Sequence, residues 1–316
     1  MYPEIKPYDS GYLDVGDGHR LYYEQCGNPQ GKPALFLHGG PGGGTSPDCR
    51  RLFDPRKYRI ILFDQRGCGR SQPFASIANN TISDIIGDIE RLRHFMAVEK
   101  WMIVGGSWGS ALAMLYAGRH YEAVSGIVVS GVSLADLEGV NWFVEEGGAS
   151  RLMPDWFAPY RDFIPPENRH HGLAKAYYDI LVNGADNDEM TIRAAKIFDV
   201  WDTSLLRHNV RHDMIQDIRD NPEASLALAR IFYHFVLHEY KAGNRWRILD
   251  GARNLAHIPC EIVHGRYDLI CPAENAWALH HAYPGSVLTI IQDGGHSILD
   301  PGLSQKVIEI TDRWAE

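Results

Sequence analysis

The chain lacks the features that mark several large classes of protein. No apolar run in its 316 residues approaches the roughly 20 needed to cross a bilayer as a helix. The N-terminus, MYPEIKPYDSGYLDVGDGHR, has no basic start followed by an apolar segment, so no secretory signal is expected. Basic charge is short: 31 Lys and Arg against 40 Asp and Glu leave a net charge of −9. That argues against a nucleic-acid partner, which needs a basic face. There are only five cysteines, Cys26, Cys49, Cys68, Cys260 and Cys271, scattered and in no CxxC pair. They read as reduced thiols of a cytoplasmic protein, not as a disulfide framework. Two histidine pairs, His208/His212 and His234/His238, have i,i+4 spacing that could place each on one helix face. Neither sits in HExxH or has an obvious third ligand, so no metal site is expected. No repeat or low-complexity linker interrupts the chain.

What is present is an alternation of short β-rich runs and longer helical patterns. YLDV and HRLYYEQ flank Gly16-Asp17-Gly18 and read as a hairpin. ALFLH (34–38), YRIILFD (58–64), WMIVGG (101–106) and GIVVSG (126–131) are apolar without in/out alternation, as expected for strands covered on both faces. Helical patterns separate them at 81–96 and 110–120, which implies a parallel sheet with right-handed crossovers. From about 133 to 257 the pattern turns helical, in segments such as GLAKAYYDILVNG and EASLALARIFYHFVLHEY. Strand signal returns at CEIVHG (260–265) and VLTIIQD (287–293), and IEITDRWAE closes the chain as a helix. The expectation is an α/β fold with a mostly parallel, doubly wound sheet, built from residues 1–132 and 258–316. A helical cap domain, 133–257, is inserted between them.

The chemistry-bearing residues lie just after strands. Gly105-Gly106-Ser107-Trp108-Gly109 places a serine on a strand-to-helix turn so sharp that glycine is required two residues before and after it. The helix N-terminus there favours developing negative charge. His38-Gly39-Gly40-Pro41-Gly42-Gly43-Gly44 follows another strand. It lacks the GxxxxGK[ST] lysine of a phosphate cradle and reads better as an oxyanion loop. In that role the backbone N–H groups of Gly40 and Trp108 face the developing oxyanion, each donor being worth about 3 kcal/mol. Asp268 and His296 each follow a later strand, and the order Ser107, Asp268, His296 fits a nucleophile, an orienting acid and a general base. Asp64 to Ser71 reads as a turn buttressing the oxyanion loop, and Cys271 as packing.

HGGPGGG, DQRGCGRS, GGSWGS, HGRYD, NAWALH and GGHS, in this order and at these spacings, closely resemble the proline iminopeptidases. The resemblance runs nearly end to end and implies an α/β-hydrolase core with a helical cap and no cofactor. It also implies release of an N-terminal proline or another small residue through an acyl-enzyme. Several specificity positions depart from the family pattern: Ser130 stands in place of an arginine, Asp202 after Trp201 in place of a glutamate, and Phe232 in place of a second glutamate. Glu145 and Glu146 offer possible compensation. Gly39, Ser130, Trp142, Phe143, Glu145, Glu146, Trp201, Asp202 and Phe232 are therefore the candidate substrate-binding residues. The expected partner is a small molecule or short peptide, with no nucleic acid and no membrane, and a homo-oligomer stays open. Two alternatives remain: hydrolysis of an ester, lactone or amide of a small metabolite, and a non-catalytic binding protein.

Overall fold

A computed structural model describes residues 1–221, 224–240 and 243–316. Each apolar run expected to be a strand is one: β1 (Asp9–Gly16), β2 (His19–Gly27), β3 (Lys32–Leu37), β4 (Tyr58–Phe63), β5 (Trp101–Gly106), β6 (Val124–Ser130), β7 (Cys260–Gly265) and β8 (Val287–Ile291). They form one sheet in the order β1-β2-β4-β3-β5-β6-β7-β8. β1 and β2 pair antiparallel, as do β2 and β4, and the remaining pairs are parallel. The absence of alternation in β5 and β7 has a direct cause, since every residue of both is buried.

Helices cover both faces. One hydrophobic cluster joins the sheet to α1 (Ile82–Phe95) and α2 (Trp108–Arg119); a second lies under α11 (Pro301–Trp314) on the other face. Helix α1 buries Ile82, Ile85, Ile86, Ile89 and Leu92, the i, i+3, i+4, i+7 stripe of an amphipathic helix. Its N-terminus is closed by a capping box between Thr81 and Asp84.

Between β6 and β7 the described residues contain helices and no strand: α3 (Leu137–Val144), α4 (Pro154–Phe163), α5 (Leu173–Asn183), α6 (Glu189–Leu205), α7 (His212–Asp220), α8 (Ser225–His238) and α9 (Asn244–Arg253). Glu223, expected at the start of the helical run here assigned to α8, lies outside the described residues. Helix α9 packs on α2 and on α10 (Ala273–Ala282), so it lies with the helices that cover the sheet. An aromatic stack binds α4, α5 and α8 together. Tyr160 lies 4.6 Å from Tyr177 and Tyr177 lies 5.4 Å from Tyr233, all near parallel; the Tyr160 and Tyr233 hydroxyls share a 2.7 Å hydrogen bond. No helix among the described residues is long and apolar enough to cross a membrane.

The turn after β4 is held by a buried ion pair. Arg66 donates from Nε (2.6 Å) and Nη2 (2.9 Å) to Asp88 on α1, and both side chains are about 1% exposed. Removing one partner leaves an uncompensated buried charge, at a cost of about 3–5 kcal/mol. Asp88→Ala should therefore lower the unfolding free energy by about that amount in a denaturant titration; a loss below about 1 kcal/mol would refute this account of the turn.

Candidate active site

The topology prepares one crevice. From β3 the chain passes to β4 on one side and returns to β5 on the other, so the carboxyl ends of β3 and β5 diverge at the point where α/β sheets accept ligands. Leu37 pairs with Gly105, which sets the glycine-rich loop after β3 against Ser107 after β5. Ser107 has φ 56° and ψ −127°, a strained conformation for a residue with a Cβ. The turn closes only because its flanks are bare: a Cβ on Gly105 would lie 2.3 Å from the Gly109 carbonyl oxygen, and one on Gly109 would lie 2.1 Å from that of Leu37. Trp108 is the first residue of α2, so its N–H has no acceptor within the helix.

The loop after β4 is tied to this turn through Gln65. Its N–H donates to His38 Nε2 (3.0 Å), its amide donates to the His38 carbonyl (3.1 Å), and its Oε1 accepts from the Trp108 indole (2.9 Å). Asp64 accepts from the Thr45 N–H at 2.8 Å and from Arg70 Nε at 2.8 Å. The Asp64–Ser71 turn thus buttresses the glycine loop as its sequence suggests.

His296 and Asp268 meet from the ends of β8 and β7. His296 Nδ1 is 2.9 Å from Oδ1 and 2.8 Å from Oδ2 of Asp268, and both residues are buried. Asp268 Oδ1 also accepts the N–H groups of Ile270 (3.0 Å) and Cys271 (2.8 Å). Burial alone would push the imidazolium of His296 down. The charge and hydrogen bond of Asp268 outweigh it, with Asp202 and Asp300 adding, and the pKa is raised. Burial would raise Asp268, yet its histidine neighbours and backbone donors hold it below the ordinary value. The backbone N–H groups of both His296 and Ser297 donate to the Leu206 carbonyl, at 3.0 and 2.9 Å. The C-terminal end of α6 therefore grips the loop that carries the histidine.

Ser107, Trp108 and His296 line one cavity of about 790 Å³ with Gly39, Gly40, Phe143, Asp202 and Phe232. The other sequence candidates are not among its walls. Ser130 is buried beneath the turn, its carbonyl accepting the Ser107 N–H at 2.9 Å. The Trp142 indole donates to the Leu269 carbonyl at 2.9 Å and borders a separate groove. Trp201 is buried behind Phe143, whose carbonyl it contacts at 3.1 Å. Glu145 is spent on the N-terminus of α5, accepting from Leu173 (3.1 Å) and Ala174 (3.0 Å). Glu146 faces outward and pairs with Arg161 at 3.3 Å.

Sequence reasoning missed Asp199, which lines the same cavity three residues before Asp202 on α6, a spacing that shares a helix face. Asp199 accepts from Ser225 Oγ (2.6 Å) and Thr203 Oγ1 (3.4 Å), and burial raises its pKa against those donors. Burial and then the charge of Asp199 push Asp202 up to about 7, with His296 opposing. Among the described residues lining the cavity there is no lysine or arginine.

Of the two histidine pairs, His234 and His238 meet on α8 with ring centroids 5.0 Å apart, whereas His208 and His212 part company. His208 lies against Tyr267 (5.4 Å) and His212 against Trp156 (5.9 Å); α7 begins at His212, so the two do not share a helix face. His238 Nε2 sits 2.9 Å from the Tyr178 hydroxyl. Among the described residues no group of three or more His, Cys, Asp or Glu side chains is placed to hold a metal ion.

Residues 32–303 match the alpha/beta hydrolase fold family. Solved structures with the same architecture include a 2-hydroxy-6-oxo-6-phenylhexa-2,4-dienoate hydrolase from Rhodococcus (TM-score 0.66, 16% identity, covering 98% of this chain and 99% of that one). An esterase from Exiguobacterium antarcticum is another (TM-score 0.63, 20% identity, covering 96% and 98%). The chain belongs to the α/β hydrolases and is a hydrolase. It is 44% identical over 314 residues to a proline iminopeptidase of Xylella fastidiosa, with 99% of each chain covered. It is 42% identical to one of Arabidopsis thaliana, covering 99% of this chain and 81% of that one, and 39% identical to one of Neisseria gonorrhoeae, covering 99% and 98%. Within the α/β hydrolases it is a member of the proline iminopeptidase family.

The electrostatics can be checked directly. NMR titration of His296 should give a pKa above the free-histidine value of about 6.5. In Asp268→Asn the largest raising charge is lost while burial remains, so the value should fall. A titration unmoved by Asp268→Asn would rule out Asp268 as the cause.

Proposed function

We propose that this hydrolase removes an N-terminal proline from short peptides, one residue at a time. Ser107 Oγ attacks the acyl carbon and His296 Nε2 takes its proton. The backbone N–H groups of Gly40 and Trp108 stabilise the oxyanion, and Asp268 holds the imidazole and its charge. Collapse expels the shortened peptide, whose new amine takes the proton from His296. Water then enters by the same route and frees proline. No hydrogen bond joins Ser107 Oγ to His296 among the described residues; in substrate-free enzymes such bonds are often long and tighten on binding. The segment from α3 to α8 acts as the cap that encloses the acyl residue.

One observation carries this reading beyond a generic hydrolase. Asp199 and Asp202 line the cavity of Ser107 and His296, with no lysine or arginine among its described lining residues. The three other lining carboxylates are engaged elsewhere, Asp136 by Arg245 at 3.1 Å, Asp213 by Arg211, and Asp217 by the Asn221 amide at 3.1 Å. An N-terminal imino cation supplies the missing counter-charge. Phe232 stacks on Phe198 at 4.9 Å and meets Phe143 edge-on at 5.5 Å, giving the pyrrolidine ring an apolar wall. The substitution of Phe232 for a family glutamate favours the rival reading, an acylase for uncharged groups, and the experiments below separate the two.

Ser107→Ala should keep its fold and retain less than about a thousandth of wild-type kcat, and fluorophosphonate should label the wild type alone. Substantial turnover by the variant would remove Ser107 from its role. Activity should fall with acid as His296 gains a proton, with a limb above about 6.5 because its pKa is raised. A flat profile from about pH 5 to 8 in folded enzyme would exclude His296 as the base.

A prolyl anilide compared with its uncharged cyclopentanecarbonyl analogue reads the amine site. Protonation of Asp202 below about 7 removes an anion, so preference for the prolyl substrate should decline as pH drops through that value. Asp202→Asn should lower that preference about tenfold or more, and Phe232→Glu should raise it several-fold, as expected for a partly solvated ion pair. Equal turnover of both substrates by wild type, unaffected by Asp202→Asn, would establish the acylase reading instead.

A further inference from the structure

The acid of the candidate triad has a second imidazole beside it. His264, on β7, is fully buried, and its Nε2 lies 3.3 Å from Asp268 Oδ2 and 2.9 Å from the Cys271 carbonyl oxygen. Its other nitrogen is already committed, because Nδ1 accepts the Val132 N–H at 3.1 Å. An acceptor at Nδ1 leaves the proton of the neutral ring on Nε2. That N–H therefore points at two acceptors, one of them the carboxylate oxygen that also meets His296 Nδ1 at 2.8 Å. Oδ1 already takes two backbone N–H donors besides His296. Oδ2 has only the two histidines among the contacts described.

We propose that His264 is a positioning residue: as the neutral Nε2–H tautomer it fixes Asp268 Oδ2 and ties the ends of β6 and β7 into one unit around the carboxylate. The ring bridges three pieces of chain that must stay in register. Val132 follows Ser130, whose carbonyl takes the Ser107 N–H at 2.9 Å. Cys271 belongs to the turn that places Asp268, and Asn275 Nδ2 donates to the Val132 carbonyl at 3.3 Å. A protonated ring would forfeit the bond from Val132 and set a cation against Asp268, competing with the imidazolium of His296. Burial holds the His264 ring toward its neutral form against the pull of Asp268. Its charged or titratable neighbours are Asp268, His296 and the Cys271 thiol, which burial keeps protonated.

This inference rests on the triad reading of Ser107, Asp268 and His296. His264→Leu removes the donor, and His264→Gln keeps a donor and an acceptor. The leucine variant should lose about 10- to 100-fold in kcat with KM little changed. Its acid limb should move to higher pH, because a carboxylate relieved of one donor holds the His296 proton more tightly. The glutamine variant should recover most of both. Equal losses in the two variants, with the limb unmoved, would make His264 a packing residue only, as would a leucine variant within about threefold of wild type. Should the leucine variant fail to fold, nitrogen NMR of the wild-type ring decides: an unprotonated Nδ1 and protonated Nε2 from about pH 5 to 8 are expected. An Nδ1–H tautomer or an imidazolium overturns the proposal. That readout is independent of turnover, so failure of the triad reading would show separately, in an active Ser107→Ala variant.

Discussion

Helix α2 starts so close to the end of β3 that the Leu37 carbonyl occupies the space a side chain at 109 would need. That contact forces the turn between β5 and α2 to be tight, and the tight turn puts Ser107 in a conformation it would not otherwise adopt. The strain is held by neighbours: the Ser107 N–H bonds to the Ser130 carbonyl, and Gln65 pins both the Trp108 indole and the loop after β3.

Electrostatics divide the site into two regions. Around Asp268, two histidines and two backbone N–H groups surround a buried carboxylate and keep it ionised. Across the cavity, Asp202 has burial and a like charge beside it, and sits near neutrality. The first region is complete within the protein. The second has no lysine or arginine among the described residues lining the cavity.

The strands and the chemistry-bearing loops were legible because each is local. An apolar run without alternation, ended by glycine, histidine or aspartate, names both a buried strand and its carboxyl end. The helices between β6 and β7 were harder to read for a physical reason: a helical residue's role depends on which face it shows, and faces are set by packing. Glu145 looked free to bind a cation, yet it closes the N-terminus of a helix that starts 28 residues later. Trp142 and Trp201 looked like pocket walls, but their indoles are satisfied by carbonyls elsewhere. Asp199 stands three residues before Asp202 on one helix, but only the fold shows that this face of α6 turns to the cavity. His264, within HGRYD, has no signal of its own in the sequence, since only the fold brings Val132 and Asp268 to its two nitrogens.

Helix α6 also sets a length. Its carbonyl at Leu206 holds the backbone of His296, and Asp202 stands four residues earlier. Four residues of helix span about 6 Å, and no loop intervenes between that carboxylate and the carbonyl that holds His296. Inserting or deleting one residue there would turn Asp202 by about 100° and carry it away from the serine. The distance between the Leu206 carbonyl and the Asp202 carboxylate is thus set by one turn of helix and is as fixed as the helix itself.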